Sequence, residues 1–275
     1  MRGDKVATTR PRFDNPPLAE QAITVIFDRL PQFSLVDFGL LWGRFQSEFP
    51  RTVTQPMREP VVERFDEQVE QAPMFRLMPE DAVPRAIFRS ATGHEQVQVQ
   101  PDLFTFNWLK VGDEAYPNSE PLIRRFAELF VRFAEYVAER KMGAIRITHC
   151  ELANVNIVPV SDFGSDFGDV GSFFEVPKLS LDVDRVGLES CQFQAQYVLY
   201  DDNGRPIGRL RQALVPVSRI EDDQKAYRFE LTARGTPDSG NLCDSLSFFD
   251  KGRDAINATF VAATTSAAHA HWGLK

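Results

Sequence analysis

The sequence predicts an α+β fold of two sheet-and-helix halves, with antiparallel sheets each packed on a long helix. Three observations lead there. Apolar residues recur at three-and-four spacing in separate stretches near 34–50, 119–143 and 245–268, the pattern of helices with one buried face. Between them run segments in which apolar and polar residues alternate, the period of strands with one covered face. Turn dipeptides such as Asn203-Gly204 join these segments into a meander.

The first dozen residues are polar and predicted to fray; order begins at Asn15-Pro16-Pro17, which fixes an extended entry into the β-rich run 22–27. Ser34 reads as a helix N-cap with Asp37 in the capping-box position, followed by Leu35, Phe38, Leu41, Trp42, Phe45 and Phe49 on one face. The stretch 52–65 is extended but broken by Pro56 and Pro60. Residues 85–90 and 95–109 read as two strands joined at Thr92-Gly93, the second placing Phe104, Phe106 and Trp108 on one side. After the turn Tyr116-Pro117-Asn118, Ser119 caps the strongest helix, whose apolar face carries Leu122, Phe126, Leu129, Phe130, Phe133 and Val137, with Gly143 as its stop. A strand over 144–158 follows.

Residues 161–172 (SDFGSDFGDVGS) lack core periodicity and are read as a linker between halves at 14–160 and 173–275 that share one extended core. Their aspartates suggest calcium, but the DxDxDG spacing is absent. Strands are expected at 178–187, 192–200, 205–217 and 227–233. Phe193, Ala195, Tyr197 and Leu199 face inward, and the glutamines between them face solvent or a polar cover. The final helix, 245–268, carries Leu246, Phe249, Ile256, Phe260, Ala263 and Ala267 in one stripe together with Arg253. That arginine either reaches outward from the stripe's edge or finds a buried partner.

Composition narrows the function classes. The 275 residues include 23 Phe against 5 Tyr and 3 Trp, an aromatic set without polar handles, suited to core burial. A net charge of −8 opposes non-specific attraction to nucleic acid or an anionic membrane. Arg205, Arg209 and Arg211 make a local basic cluster whose ordinary explanation is a solvated strand face. Cys150, Cys191 and Cys243 fit neither a disulfide framework nor a zinc ribbon, no apolar run approaches the ~20 residues of a membrane span, and no apolar stretch follows the charged start as in a secretory leader. A cytoplasmic setting is expected.

Several residue groups are candidates for chemistry. Asp182 and Asp184, two apart in an expected strand, share a face and with Glu230 could hold magnesium for phosphodiester hydrolysis; a solvated strand side is the plainer account. His269 and His271 have a metal-ligand pairing but lie at a helix end with no accompanying motif, so a structural role is expected. His149 and Cys150 are strand neighbours pointing to opposite faces and cannot form a dyad. Asn154 and Asn156 share a strand face and, with Arg253, are the candidate polar groups of a ligand pocket between the halves. Phe104, Phe106 and Trp108 resemble a base-stacking platform in pattern but lack interleaved Lys and Arg. The common phosphate-loop, dinucleotide, nucleophile-elbow and HExxH motifs are absent, and no cofactor is expected.

The chain resembles a sporadically distributed, uncharacterised bacterial family of about this length. The resemblance is carried by Asn15-Pro16-Pro17-Leu18-Ala19-Glu20, by Val99-Gln100-Pro101-Asp102 through Phe106-Asn107-Trp108, by Tyr116-Pro117 and by Asn154-Val155-Asn156-Ile157. At the C-terminal end it is carried by Phe249-Asp250 to Ile256, Thr264-Thr265 to His269 and Trp272-Gly273. Val155 departs from the aromatic usual there, and Arg253 stands where the family carries a histidine. The resemblance implies one conserved unit in a bacterial cytosol and supplies no catalytic site. With the missing motifs, it leads to the expectation of a non-catalytic binding or regulatory protein working through a protein partner, in a defence or toxin-neutralising context. The alternatives are the metal-dependent phosphodiesterase or nuclease and a small-ligand-binding protein. Oligomeric state is not legible in the sequence.

Overall fold

The computed structural model describes residues 10–59, 61, 63, 65, 84–175, 183–219 and 222–275. Nine strands, β1 (Leu18–Phe27), β2 (Arg51–Gln55), β3 (Arg85–Arg89), β4 (Glu95–Gln100), β5 (Leu103–Leu109), β6 (Ile147–Pro159), β7 (Phe193–Tyr200), β8 (Pro206–Ser218) and β9 (Lys225–Gly235), form one sheet in the order β2-β3-β4-β5-β1-β6-β9-β8-β7. Every neighbouring pair is antiparallel. The fold is therefore α+β, but the strands are not divided between two sheets: β1 and β6 pair along nearly their whole length at the centre. Outward from that pair the order is β5, β4, β3, β2 on one side and β9, β8, β7 on the other, each the reverse of chain order.

Four helices accompany the sheet: α1 (Leu35–Phe45), α2 (Ser119–Glu139), α3 (Leu242–Ala263) and α4 (Ser266–Trp272). Strand register shows which sheet face they cover. Ile23, Phe106, Val97 and Leu152 are mutually opposite, as are Val25, Phe104, Val99 and Cys150, and all are buried. Phe104 meets Phe126, Phe130 and Phe133 of α2 with ring centroids 5.9, 5.5 and 5.2 Å apart. Phe126 also makes an edge contact with Phe249 of α3 at 5.4 Å. The phenylalanines thus form the core, as their lack of polar atoms requires.

The opposite face is polar and also largely buried. Thr24 and Thr105 are hydrogen-bonded at 2.8 Å, Gln98 donates to Asn107 at 2.8 Å, and Asn107 donates to Glu20 at 2.5 Å. Burial pushes the Glu20 carboxyl up, against the pull of Asn107. Beside this ladder lies an ionic cluster. Glu151 accepts from Arg234 and Arg58, and Glu63 meets Arg209 at 2.5 Å and Arg211 and Arg234 at 3.4 Å each. Gln192, Gln194 and Gln196, expected to face solvent or a polar cover, are exposed, whereas Glu63 covers the neighbouring arginines of β8 and β9. Of the arginines read as a solvated strand side, Arg209 and Arg211 are tied to a carboxylate with only 2% of its side chain exposed, whereas Arg205 is exposed and pairs with Asp201.

Several boundaries differ from those expected, each for a local reason. The run 95–109 is two strands, because Pro101-Asp102 turns the chain so that Gln100 faces Leu103. The helix at 245–268 is broken: Thr264 is extended, and the Thr265 side chain caps α4 by accepting from Ala268 N–H at 3.2 Å. The linker at 161–172 forms two 3-10 turns, Val160–Asp162 and Phe167–Ser172, the second opened by a capping box between Asp166 and Asp169. Within it, Phe163 contacts Phe173 and Trp272, and Val170 is buried. Of the strand expected at 178–187, residues 178–182 lie outside the described residues and 183–187 form a turn closed by Val186 N–H to Val183 C=O. Residues Arg10–Phe13, expected to fray, are tied down by a bridge from Phe13 to Leu274 and an ion pair from Arg10 to Asp254. No described helix is long and apolar enough to cross a membrane.

The α1 capping box is present as read. Asp37, 2% exposed, accepts from Ser34 N–H at 2.8 Å, Ser34 Oγ–H at 2.7 Å and Tyr136 Oη–H at 2.7 Å, with Arg140 at 3.4 Å. Burial alone would push this carboxyl up; the Tyr136 and Ser34 hydrogen bonds and Arg140 outweigh it and hold the pKa below the usual range. A carboxyl held low in the folded state adds stability above its unfolded pKa, about 3.9, and that gain is lost as pH falls through the folded value. Asp37→Asn should therefore cost about 1–3 kcal/mol near neutral pH and reduce the steepness of acid destabilisation. Urea unfolding between about pH 3 and 6 checks both effects.

Candidate ligand-binding cavity

Where α2 begins, the chain leaves a gap between the helix end, α3 and the N-terminal arm. Pro117 precedes Asn118, the N-cap, which holds φ 72° and makes no side-chain cap bond. A non-glycine residue at positive φ is locally unfavourable and is held by its surroundings. Ser119, expected to be the cap, is instead buried in the first turn and used sideways. Its Oγ accepts from Gln21 Nε2 at 2.9 Å and is hydrogen-bonded to Tyr116 Oη at 2.6 Å. The α2 N-terminus thus keeps backbone N–H groups with no side-chain cap, next to the positive end of a 21-residue helix.

That end opens on a cavity of about 290 Å³, far above the ~10–15 Å³ that admits one water. Pro16, Leu18, Leu231, Ile256, Phe260 and Phe13 make its apolar wall. Phe13 is fixed there by an edge contact with Phe260 at 5.3 Å and by the pairing of its strand segment with Leu274. Its polar side is formed by Asn154, Asn156, Tyr116, Ser119, Asn257 and the arginines Arg10, Arg12, Arg124 and Arg253.

Alternation places Gln21, Asn154 and Asn156 on the helix-covered face of the sheet, where neighbouring positions hold Ile23 and Leu152. Gln21 Nε2 donates to Asn154 Oδ1 at 2.7 Å, and Asn156 Nδ2 donates to Phe229 C=O at 3.1 Å. Gln21, 1% exposed, is left with Oε1 unpaired. Arg253, 6% exposed, is itself buried but finds no buried partner among the described residues: its Nη2 reaches outward to the exposed Asp250, 2.7 Å from Oδ1. Its Nε has no hydrogen bond, Asp254 Oδ1 being 3.8 Å away. Burial is the main influence on Tyr116 and pushes its phenol up to about 12, so it is a neutral donor at physiological pH.

The three candidate ligand residues therefore meet at one cavity. The other candidates do not meet, so far as they are among the described residues. Asp184 is exposed in a turn, 3.6 Å from Arg185, and Asp182 lies outside the described residues. Glu230 sits on the opposite sheet face, paired with Arg228 at 2.5 Å and accepting from Thr232 at 3.1 Å. His269 Nε2 is hydrogen-bonded to Thr264 Oγ1 at 2.8 Å, whereas His271 packs on Phe163 and lies 3.6 Å from Asp162. Among the described residues no group of three His, Cys, Asp or Glu side chains is placed to hold a metal ion. Cys150 is fully buried, its thiol pushed up to about 12 by that burial, and His149 lies on the other face, as their adjacency requires.

Gln21, Tyr116, Ser119 and Phe13 were missed by sequence reasoning. A signal existed for Gln21: it interrupts the apolar alternation Ile23, Val25, Phe27 on a buried face. No family model, curated protein or solved structure matches the chain.

Proposed function

We propose that this is a small-ligand-binding protein and that the cavity between the α2 N-terminus and α3 is its site. One observation carries the reading: a cavity of about 290 Å³ is lined by Arg253, 94% buried, whose Nε makes no hydrogen bond among the described residues. Buried polar atoms without partners are costly and rare in native structures, so one on a residue that walls a cavity points to a group that a ligand satisfies. The lining side chains bind and orient. Ser119 Oγ is engaged by Gln21 and Tyr116, neither a base, and the lining carboxylate Glu120 is paired with Arg124 at 3.4 Å. Of the three functions expected, the small-ligand protein is the one this geometry favours. Neither the Asp182, Asp184 and Glu230 grouping nor a protein partner finds comparable support.

A thermal-shift screen of small metabolites tests it, run on the wild type and on Asn257→Trp, which fills the cavity from a half-buried position on α3. A ligand at about 100 times its Kd should stabilise the wild type by about 2.7 kcal/mol, a rise of several degrees, and leave Asn257→Trp unmoved. No stabilising compound, or equal shifts in both proteins, would overturn the reading.

A further inference from the structure

Resting on the cavity being a ligand site, we infer that its ligand is a carboxylic acid with an apolar, ring-bearing or aliphatic body. The charge pattern of the lining gives the first half. Arg10, Arg124 and Arg253 have carboxylate partners in Asp254, Glu120 and Asp250, whereas the guanidinium of Arg12 has none among the described residues. Arg12 is exposed and stands on the arm that walls the cavity, held in place because its C=O accepts from Lys275 N–H at 2.8 Å. One uncommitted cation beside an uncapped helix N-terminus matches one negative charge. A carboxylate brings one such charge; a phosphate monoester brings about 1.5 to 2 and would leave part of it unbalanced.

The other wall gives the second half. Leu18, Leu231, Ile256, Phe260 and Phe13 offer no hydrogen bond to a polar body, so a sugar or a polyamine would leave its groups unpaired there. An apolar body fills that wall while the acid faces the arginines. The unpaired buried Nε–H of Arg253 fits the same charge: it needs an acceptor, which a carboxylate supplies.

Isothermal titration with phenylacetate, octanoate, phenylacetamide and phenyl phosphate, on wild type, Arg12→Gln and Asn257→Trp, tests the inference. Arg12 is exposed and, among the described residues, bound only through its backbone, so Arg12→Gln is expected to fold normally. The expected result is binding of phenylacetate and octanoate at least tenfold tighter than phenylacetamide or phenyl phosphate. Arg12→Gln should weaken the acids about tenfold and flatten their salt dependence, and Asn257→Trp should abolish binding. If phenylacetamide binds as well as phenylacetate and Asn257→Trp blocks both, the cavity is a ligand site but not an acid site. Preference for phenyl phosphate over the acids overturns the assignment of charge. If no compound binds, or Asn257→Trp changes nothing, the ligand-site reading itself falls.

Discussion

Replacing Glu151 by alanine is expected to cost about 3–5 kcal/mol, the range seen when one partner of a buried ion pair is removed. Glu151 is 4% exposed on β6 and stands directly opposite Arg234 on β9. Arg234, 5% exposed, donates to Glu151 Oε2 through Nε at 2.7 Å and through Nη2, and Arg58 donates to Oε1 at 2.9 Å. Without Glu151, Arg234 keeps among the described residues only the 3.4 Å contact to Glu63, a carboxylate already shared with Arg209 and Arg211. Burial raises the Glu151 carboxyl, and Arg234 and Arg58 more than offset this, holding its pKa below the usual range. The pair is therefore ionised at neutral pH and the loss is fully felt there. At about 2–4 °C per kcal/mol the melting temperature should fall by on the order of 10 °C. The double replacement Glu151→Leu with Arg234→Met removes both charges and should recover most of the loss. A single-variant loss below about 1 kcal/mol would mean that the cluster is solvated and not the sealed layer its burial implies.

The same cluster shows what sequence can and cannot reveal. The alternation that puts Gln192, Gln194 and Gln196 on one side of β7 is local, so that polar face was legible, and it is exposed. The burial of Arg209 and Arg211 beside it was not legible, because the carboxylate that covers them comes from position 63, far back in the chain. Helices α1 and α2 were legible from phenylalanine spacing, since packing demands one apolar stripe whatever the partner. The turn at Pro101-Asp102 was hidden by continuous alternation on both sides, although a proline inside a central strand should have marked it. The pairing of β1 with β6 joins segments more than a hundred residues apart, and nothing local distinguishes one sheet from two. At the cavity, Asn154, Asn156 and Arg253 stood out as polar residues in apolar periodicities. Tyr116 and Ser119 read as ordinary turn and cap residues, and only the folded path shows Ser119 turned towards Gln21.

Phe126→Ala should be the most damaging single truncation in the core. Its ring is fully buried on α2 and stands at the meeting point of three elements: Phe104 of β5, Phe130 one turn along α2, and Phe249 of α3, at centroid distances of 5.9, 5.8 and 5.4 Å. Truncating a buried phenylalanine costs about 3–5 kcal/mol through lost transfer energy and the residual cavity. Here three rings converge on the space, and Phe249 and Phe104 are themselves fixed by further packing, so the site cannot collapse easily. The position also bears on how the sheet unfolds. Phe126 joins the helix following β5 to the helix following β9, and β1 joins β6 edge to edge beneath them. A continuous sheet with a shared aromatic core should melt in one transition, and Phe126→Ala should shift that whole transition downward without splitting it. Calorimetry with the van't Hoff comparison reads this directly. Two resolved transitions in the wild type, only one of them moved by Phe126→Ala, would show instead that the strands on either side of the β1–β6 pair fold as separate units.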